Sequence, residues 1–77
     1  MSTPIRDTNY RNKVCKLVNL DGEQAHVGDV MIDFRGETAI LRDGRAPHKE
    51  GAQGYVYTDR PGQSYAGVFS LRWVEES

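Results

Sequence analysis

The residue types that most often do chemistry are present here without the spacing that catalysis or metal binding needs. His26 and His48 lie far apart, and no further ligand stands at metal-binding spacing beside either. Asp29 and Asp33 would be separated by about 13 Å along a strand, too far for a carboxylate acid–base pair. Cys15 lies in an apolar segment, where a thiol is buried and inert. We therefore predict no catalytic residue, no metal site, no cofactor and no small-molecule substrate, and expect that the chain is not an enzyme.

A second group of residues has the composition of a binding surface. Tyr55 and Tyr57 flank Val56, so both rings face solvent if Val56 faces the core. Exposed rings beside cations suit a protein partner, a stacked nucleic-acid base or a methylated lysine; strand tyrosines also stabilise sheets without binding anything. Acidic residues among the cations dilute the positive charge, which favours a protein partner. The candidate partner-binding residues are Arg42, Arg45, His48, Lys49, Tyr55, Tyr57 and Arg60.

Short segments rich in β-branched and aromatic residues, separated by turn signals, predict strands and little helix. The turn signals are Asp21-Gly22, Gly36 and Pro61-Gly62. A long polar loop over residues 43–53 begins at Asp43-Gly44 and contains Pro47, and a loop of this length is either functional or mobile. The five predicted strands cover residues 13–19, 26–35, 37–42, 54–58 and 65–74.

Alternation of apolar with polar residues assigns faces to the second and fifth predicted strands. In the fifth, Tyr65 shares a face with Phe69, Leu71 and Trp73. In the third, either Ala39 and Leu41 or Thr38 and Ile40 face the core. The side chains predicted to be most buried are Val30, Ile32, Phe34, Val56, Phe69, Leu71 and Trp73.

Length, charge and cysteine content bound the class of protein. A chain of 77 residues allows one domain with a thin core. Ten Lys and Arg against eleven Asp and Glu lack the basic excess of most nucleic-acid binders. One cysteine provides no disulfide framework, and the polar N-terminus lacks an apolar signal segment, so we expect a cytoplasmic protein that does not cross a membrane. The expected organisation is a flexible N-terminal arm at 1–12, one β domain at 13–74 and a solvated tail at 75–77.

Five strands with mostly short connections predict an all-β domain. We expect a small five-stranded, partly open barrel or strongly twisted meander of the SH3-like type, because a twisted sheet of this size curls on itself. The alternative is an OB-like barrel, which usually carries a helix between its third and fourth strands. That position holds the proline- and glycine-containing loop, so the SH3-like fold is preferred.

Three stretches together carry a resemblance. GDVMIDFRGE at residues 28–37 is followed by RAP at 45–47 and by YAGVFSL at 65–71. The combination, over roughly residues 26–74, resembles small uncharacterised proteins encoded by tailed phages and prophages. The resemblance implies a bacterial or phage setting and a compact stand-alone domain; it implies no activity.

The predicted function is a non-enzymatic interaction module. We expect the loop at 43–53 and the tyrosine-bearing strand to contact another protein or a second copy of the chain. The alternatives are a barrel that binds single-stranded nucleic acid and a structural or assembly component of a larger particle.

Overall fold

The computed structural model describes residues 3–76 and is all-β. Its strands form two antiparallel sheets, one of three strands and one of four, which do not close into a barrel in this part of the chain. Seven strands thus replace the five that the sequence predicts. They are β1 (Arg6–Thr8), β2 (Val14–Val18), β3 (Val30–Ile32), β4 (Thr38–Arg45), β5 (Tyr55–Thr58), β6 (Gln63–Tyr65) and β7 (Arg72–Glu75).

The first sheet has the order β1-β2-β7 and includes part of the segment that we expected to be a flexible arm. β1 pairs antiparallel with β2, with Asp7 opposite Cys15. The Ile5 side chain is 2% exposed and belongs to the core. Residues 5–8 are therefore an ordered edge of the domain. Met1 and Ser2 of the expected arm, and Ser77 of the expected tail, lie outside the described residues.

The second sheet has the order β3-β4-β5-β6, and its longest strand extends into the predicted loop. β4 continues past Asp43 to Arg45, with a register irregularity between Leu41 and Asp43. Gly44 is buried in this strand because the Trp73 ring lies against it: a Cβ at Gly44 would stand 2.6 Å from Trp73 Cζ2. This glycine therefore serves a close side-chain approach, and the loop begins only after Arg45.

The predicted fifth strand is interrupted. A 3₁₀ helix, Ala66–Phe69, separates β6 from β7, and Ser70 follows it in the left-handed conformation with φ 59°. Phe69 and Leu71 are nevertheless buried, at 4% exposure each, as predicted. Their two-residue spacing reflects the end of a 3₁₀ helix and not a continuous strand.

The core lies where the inner faces of the two sheets meet. Leu17 of β2, Leu41 of β4 and Val56 of β5 are fully buried, and Trp73 is partly buried against them. β4 turns Ala39 and Leu41 inward, which decides between the two faces that the sequence leaves open. The buried cluster comprises Ile5, Leu17, Ala25, Ala39, Leu41, Val56, Ala66, Phe69 and Leu71.

β3 has the predicted alternation with the opposite facing. Val30, Ile32 and Phe34 are 64%, 62% and 76% exposed, so the prediction that they lie in the core is wrong. Met31 packs against the core instead, and the Asp33 side chain is buried on the same side. We call the exposed residues Val30, Ile32, Phe34 and Ile40 the apolar stripe.

Candidate binding surface

The tyrosine-bearing strand has the predicted facing. Val56 is fully buried, while Tyr55 and Tyr57 lie half-buried on the outer face of the second sheet. Arg45 of β4 stands opposite Tyr55, and Asp43 stands opposite Tyr57. The sheet thereby brings one cation next to a ring and one carboxylate next to the other.

Tyr65, which the sequence analysis assigned to the core face, belongs to this outer surface and is 53% exposed. It stands opposite Tyr55 on β6, with ring centroids 5.1 Å apart and ring planes 24° apart. This neighbour raises the pKa of the Tyr55 hydroxyl above its ordinary value. The Tyr57 hydroxyl donates to Gln63 Oε1 at 3.1 Å, which also ties β5 to β6.

An open cavity of about 360 Å³ lies between the stacked rings of Tyr55 and Tyr65 and the loop that follows β4. Ligand-binding cavities typically have volumes of about 300–1,000 Å³, so this cavity is large enough for a small ligand or a single side chain. Gln53 Oε1 accepts the Gly67 N–H at 3.1 Å and so attaches the loop to the 3₁₀ helix. The cavity is lined by His48, Lys49, Gly51, Ala52, Gln53, Gly54, Tyr55 and Tyr65.

Three of the candidate cations, Arg42, Arg45 and Lys49, are free of acidic partners within residues 3–76. The three salt bridges within residues 3–76 lie elsewhere, and none includes Arg42, Arg45 or Lys49. All three side chains are exposed, as is His48. Arg45 and Lys49 can therefore pair with a carboxylate or phosphate supplied by a ligand. We call Arg45, His48, Lys49, Tyr55 and Tyr65 the loop–tyrosine surface.

Arg60, a candidate from the sequence, is engaged away from this surface. Its Nη1 donates to Asp33 Oδ2 and its Nη2 to the Thr38 carbonyl oxygen, each at 3.0 Å. Its guanidinium carbon also lies 5.7 Å from the centre of the Phe69 ring. These contacts hold the β3–β4 hairpin against the core, so Arg60 is a positioning residue for the fold.

Asp33 explains why β3 faces as it does. Its Oδ1 accepts the N–H groups of Arg35 and Glu37 at 2.9 Å each, and Arg60 pairs with its second oxygen. A carboxylate with this many donors tolerates burial. Asp33 therefore occupies the inner side of the hairpin, and the apolar neighbours that alternate with it turn outward.

The charge of Asp33 gives a testable pH dependence. Burial raises its pKa, but the Glu37 N–H, the Arg60 side chain and the Arg35 N–H together hold that pKa below its ordinary value. The folded pKa is thus lower than the unfolded value of about 3.9, so the stabilisation is present above that pH and is lost as pH falls through the folded pKa. In urea unfolding from about pH 6 to about pH 2, we expect Asp33→Asn to lose less stability than wild type on acidification. Equal losses in the two proteins would contradict this role.

The other residues considered as catalytic or metal-binding groups do not form a joint site in the structure. Cys15 is buried, as predicted, and burial followed by the charge of Glu75 raises the pKa of its thiol. Asp29 Oδ2 accepts the backbone N–H of His26 at 2.9 Å. Between residues 3 and 76, no three His, Cys, Asp or Glu side chains approach closely enough to hold a metal ion.

Comparison with known proteins adds no relative. No family model, no curated protein and no solved structure matches the chain. Within residues 3–76, no helix has the length and apolar character needed to cross a membrane.

Proposed function

We propose that this domain is a non-enzymatic module that binds a segment of another protein through the loop–tyrosine surface. The observation that carries the proposal is the cavity in which the stacked Tyr55 and Tyr65 rings stand beside the unpaired Lys49. Tyrosine and arginine dominate binding hot spots because they bury large area at little entropic cost and also hydrogen-bond. Arg45 beside Tyr55 provides that combination.

The chemistry of the surface indicates the kind of segment. One apolar or aromatic side chain of the partner fills the cavity against the tyrosine pair, and an adjacent carboxylate pairs with Lys49 or Arg45. We therefore propose an acidic segment that contains a large apolar residue.

A peptide library selected on the wild-type domain tests this proposal. Recovered peptides should combine acidic with large apolar residues, and Tyr55→Ala should weaken their binding by about tenfold or more, as expected for a hot-spot ring. Arg72→Ala, an exposed cation on the first sheet, is the matched control and should bind normally. Pull-downs with Tyr57→Ala and Arg45→Ala extend the test to natural partners. Peptides that bind Tyr55→Ala and wild type equally would overturn the proposal.

Single-stranded nucleic acid is the second candidate partner. The rings beside cations favour it, since bases stack on tyrosine and phosphates pair with lysine or arginine. Against it, Tyr55 and Tyr65 cover one face of each other, Asp43 and Glu50 lie exposed nearby, and the net charge is −1. We expect no binding of a single-stranded oligonucleotide at low salt; salt-dependent binding that Tyr55→Ala abolishes would establish this alternative.

The setting and the finer fold class are part of the same proposal. The resemblance of residues 26–74 to phage and prophage proteins supports a bacterial or phage setting, with the cytoplasm as the compartment. We also propose an SH3-like, partly open barrel as the class of the fold. Its support is the pair of small antiparallel sheets and the helix-free backbone of residues 46–54, where an OB-like domain usually has a helix.

A further inference from the structure

The apolar stripe and the loop–tyrosine surface lie on the same face of the second sheet. β4 runs through both, and its outer-face residues Ile40, Arg42 and Arg45 are all exposed. Ile40 stands opposite Val30 of β3, whereas Arg45 stands opposite Tyr55 of β5. The outer face of β4 therefore connects the two surfaces directly.

The apolar stripe is a contiguous patch and not a set of scattered side chains. Val30 and Ile40 are opposite each other across the β3–β4 pair, and Ile32 lies on the same face of β3. Phe34 lies beyond them in the turn that follows β3, with the Arg35 guanidinium carbon 5.4 Å from the centre of its ring. Neighbouring exposed apolar side chains with a polar rim mark a contact site for another molecule.

The charges between the two surfaces suit the acidic segment of the proposed function. Along the outer face of β4, Arg42 and Arg45 flank the single carboxylate of Asp43. Neither arginine takes part in a salt bridge within residues 3–76. Arg42 can therefore pair with a carboxylate that a partner supplies midway between the stripe and the cavity.

The carboxylates around the stripe do not occupy this path. Asp29 Oδ2 accepts the His26 N–H at 2.9 Å, and Asp59 Oδ1 accepts the Ile40 N–H at 3.0 Å, so both are engaged within the domain. Glu37 lies in the turn before β4, at the end of the stripe that is farther from Arg42 along the strand. Charge complementarity thus favours the same acidic partner on both surfaces.

We propose that the acidic segment bound at the loop–tyrosine surface continues along the outer face of β4 and places a second large apolar side chain on the apolar stripe. An acidic residue between its two apolar residues pairs with Arg42. This second anchor rests on the proposed function, and it adds a defined spacing to the partner segment.

The distance between the two contacts sets that spacing. Ile40 and Arg45 are separated by about 16 Å at a strand rise of about 3.3 Å per residue, slightly less because of the irregularity between Leu41 and Asp43. An extended segment turns alternate side chains to one side, so its apolar residues should stand about four or six positions apart. A helix, with a rise of about 1.5 Å, would need about 11 positions and a continuous apolar face, which the charged middle of this surface does not match.

Selection from a library of random peptides of about 15 residues, long enough for either spacing, tests the geometry. The recovered peptides should carry two large apolar residues about four or six positions apart, with Asp or Glu between them. Peptides with a single apolar residue, peptides with helical spacing, or a selection without binders would each overturn the proposal.

Variants of the domain test the second anchor with the strongest selected peptide. Ile32→Ser should weaken binding about tenfold, because most of the apolar contact on the stripe is removed. Leu20→Ser is the matched control and should bind normally, since Leu20 is 72% exposed in the turn after β2 of the first sheet. A truncated peptide without the stripe-side apolar residue should bind Ile32→Ser and wild type equally.

Arg42→Ala tests the pairing between the two anchors. It should weaken binding of the same peptide about threefold, as expected for an exposed ion pair. Replacing the central acidic residue of the peptide by its amide should make binding insensitive to Arg42→Ala, because the two changes remove the same interaction. Equal sensitivity of the acidic and amide peptides would contradict the pairing with Arg42.

The outcomes distinguish the second anchor from the proposed function. If Tyr55→Ala weakens binding while Ile32→Ser leaves it unchanged, the segment ends at the loop–tyrosine surface, and the second anchor is wrong although the proposed function stands. If Ile32→Ser also weakens binding of the truncated peptide, its effect comes from the fold, and the second anchor is again wrong. Equal binding of the full peptide to Tyr55→Ala and wild type would overturn both.

Discussion

Replacing Leu41 by alanine is expected to lower the free energy of unfolding by about 2–5 kcal/mol. Leu41 is fully buried in β4 and belongs to the core cluster between the sheets. Truncation removes its buried surface and leaves a cavity that the small core cannot fill. Since domains of this class have total stabilities near the lower end of about 5–15 kcal/mol, the loss is a large share of the total. Urea unfolding measures it.

The adjacent residue is the matched control for that experiment. Ile40 is 39% exposed on the outer face of the same strand. Ile40→Ala should cost less than about 1.5 kcal/mol, because much of the removed side chain already contacts water. A larger loss at Ile40 than at Leu41 would mean that β4 faces the other way.

The second large effect is expected from Gly54→Ala. Gly54 has φ 77°, a conformation that costs an L residue about 1–2 kcal/mol. A Cβ there would also lie 2.5 Å from Trp73 Cδ1 and 2.7 Å from the Arg45 carbonyl oxygen. Adding an overpacking cost of about 1–3 kcal/mol gives an expected destabilisation of about 2–5 kcal/mol.

Gly51→Ala separates the cost of the left-handed backbone conformation from the cost of the steric clash with Trp73. Gly51 has φ 83°, but a Cβ at that position would meet no atom within 4 Å. It should therefore show only the conformational cost of about 1–2 kcal/mol. Trp73 is the only tryptophan, so its fluorescence reports displacement of the ring. The emission should change in Gly54→Ala and stay unchanged in Gly51→Ala; equal stabilities and spectra would contradict the Trp73 contact.

Local sequence patterns predict the turns and the all-β class well, because both depend on residues that are near one another in the sequence. Gly22, Gly36 and Gly62 all adopt the positive φ that their turns were expected to need. The alternation in β3 is also real. Its direction is not predictable from the strand alone, since it is set by Asp33, whose partner Arg60 lies 27 residues away.

Two other differences have the same origin in distant contacts. The sequence predicts that a loop begins near Gly44, yet Gly44 lies in β4. The cause is distant in sequence, because the Trp73 ring packs directly against this glycine. In the sequence, Ile5 is an isolated apolar residue. It is nevertheless buried, because the adjacent strand β1 pairs with β2 at the edge of the first sheet. Gly67 lies inside the predicted fifth strand, and a glycine at such a position is a local sign that the strand is interrupted, here by the 3₁₀ helix.

The facing of the tyrosines on the candidate binding surface was predicted in part. The outward facing of Tyr55 and Tyr57 follows from alternation with Val56. Tyr65 was missed because its position depends on the β5–β6 pairing, which places it opposite Tyr55. The turn signal at Pro61-Gly62 could have indicated that hairpin. Nothing local distinguishes Arg60, which binds Asp33, from the unpaired cations around the cavity.

The outward facing of Val30, Ile32 and Phe34 is tested most directly by thiol alkylation of Phe34→Cys at low protein concentration. Phe34 is 76% exposed, whereas Cys15 is buried and its thiol pKa is raised. The thiol at position 34 should react under native conditions nearly as fast as in the urea-unfolded chain, while Cys15 stays protected. A thiol at position 34 that is as protected as Cys15 would place the apolar side chains of β3 in the core and contradict the exposed apolar stripe.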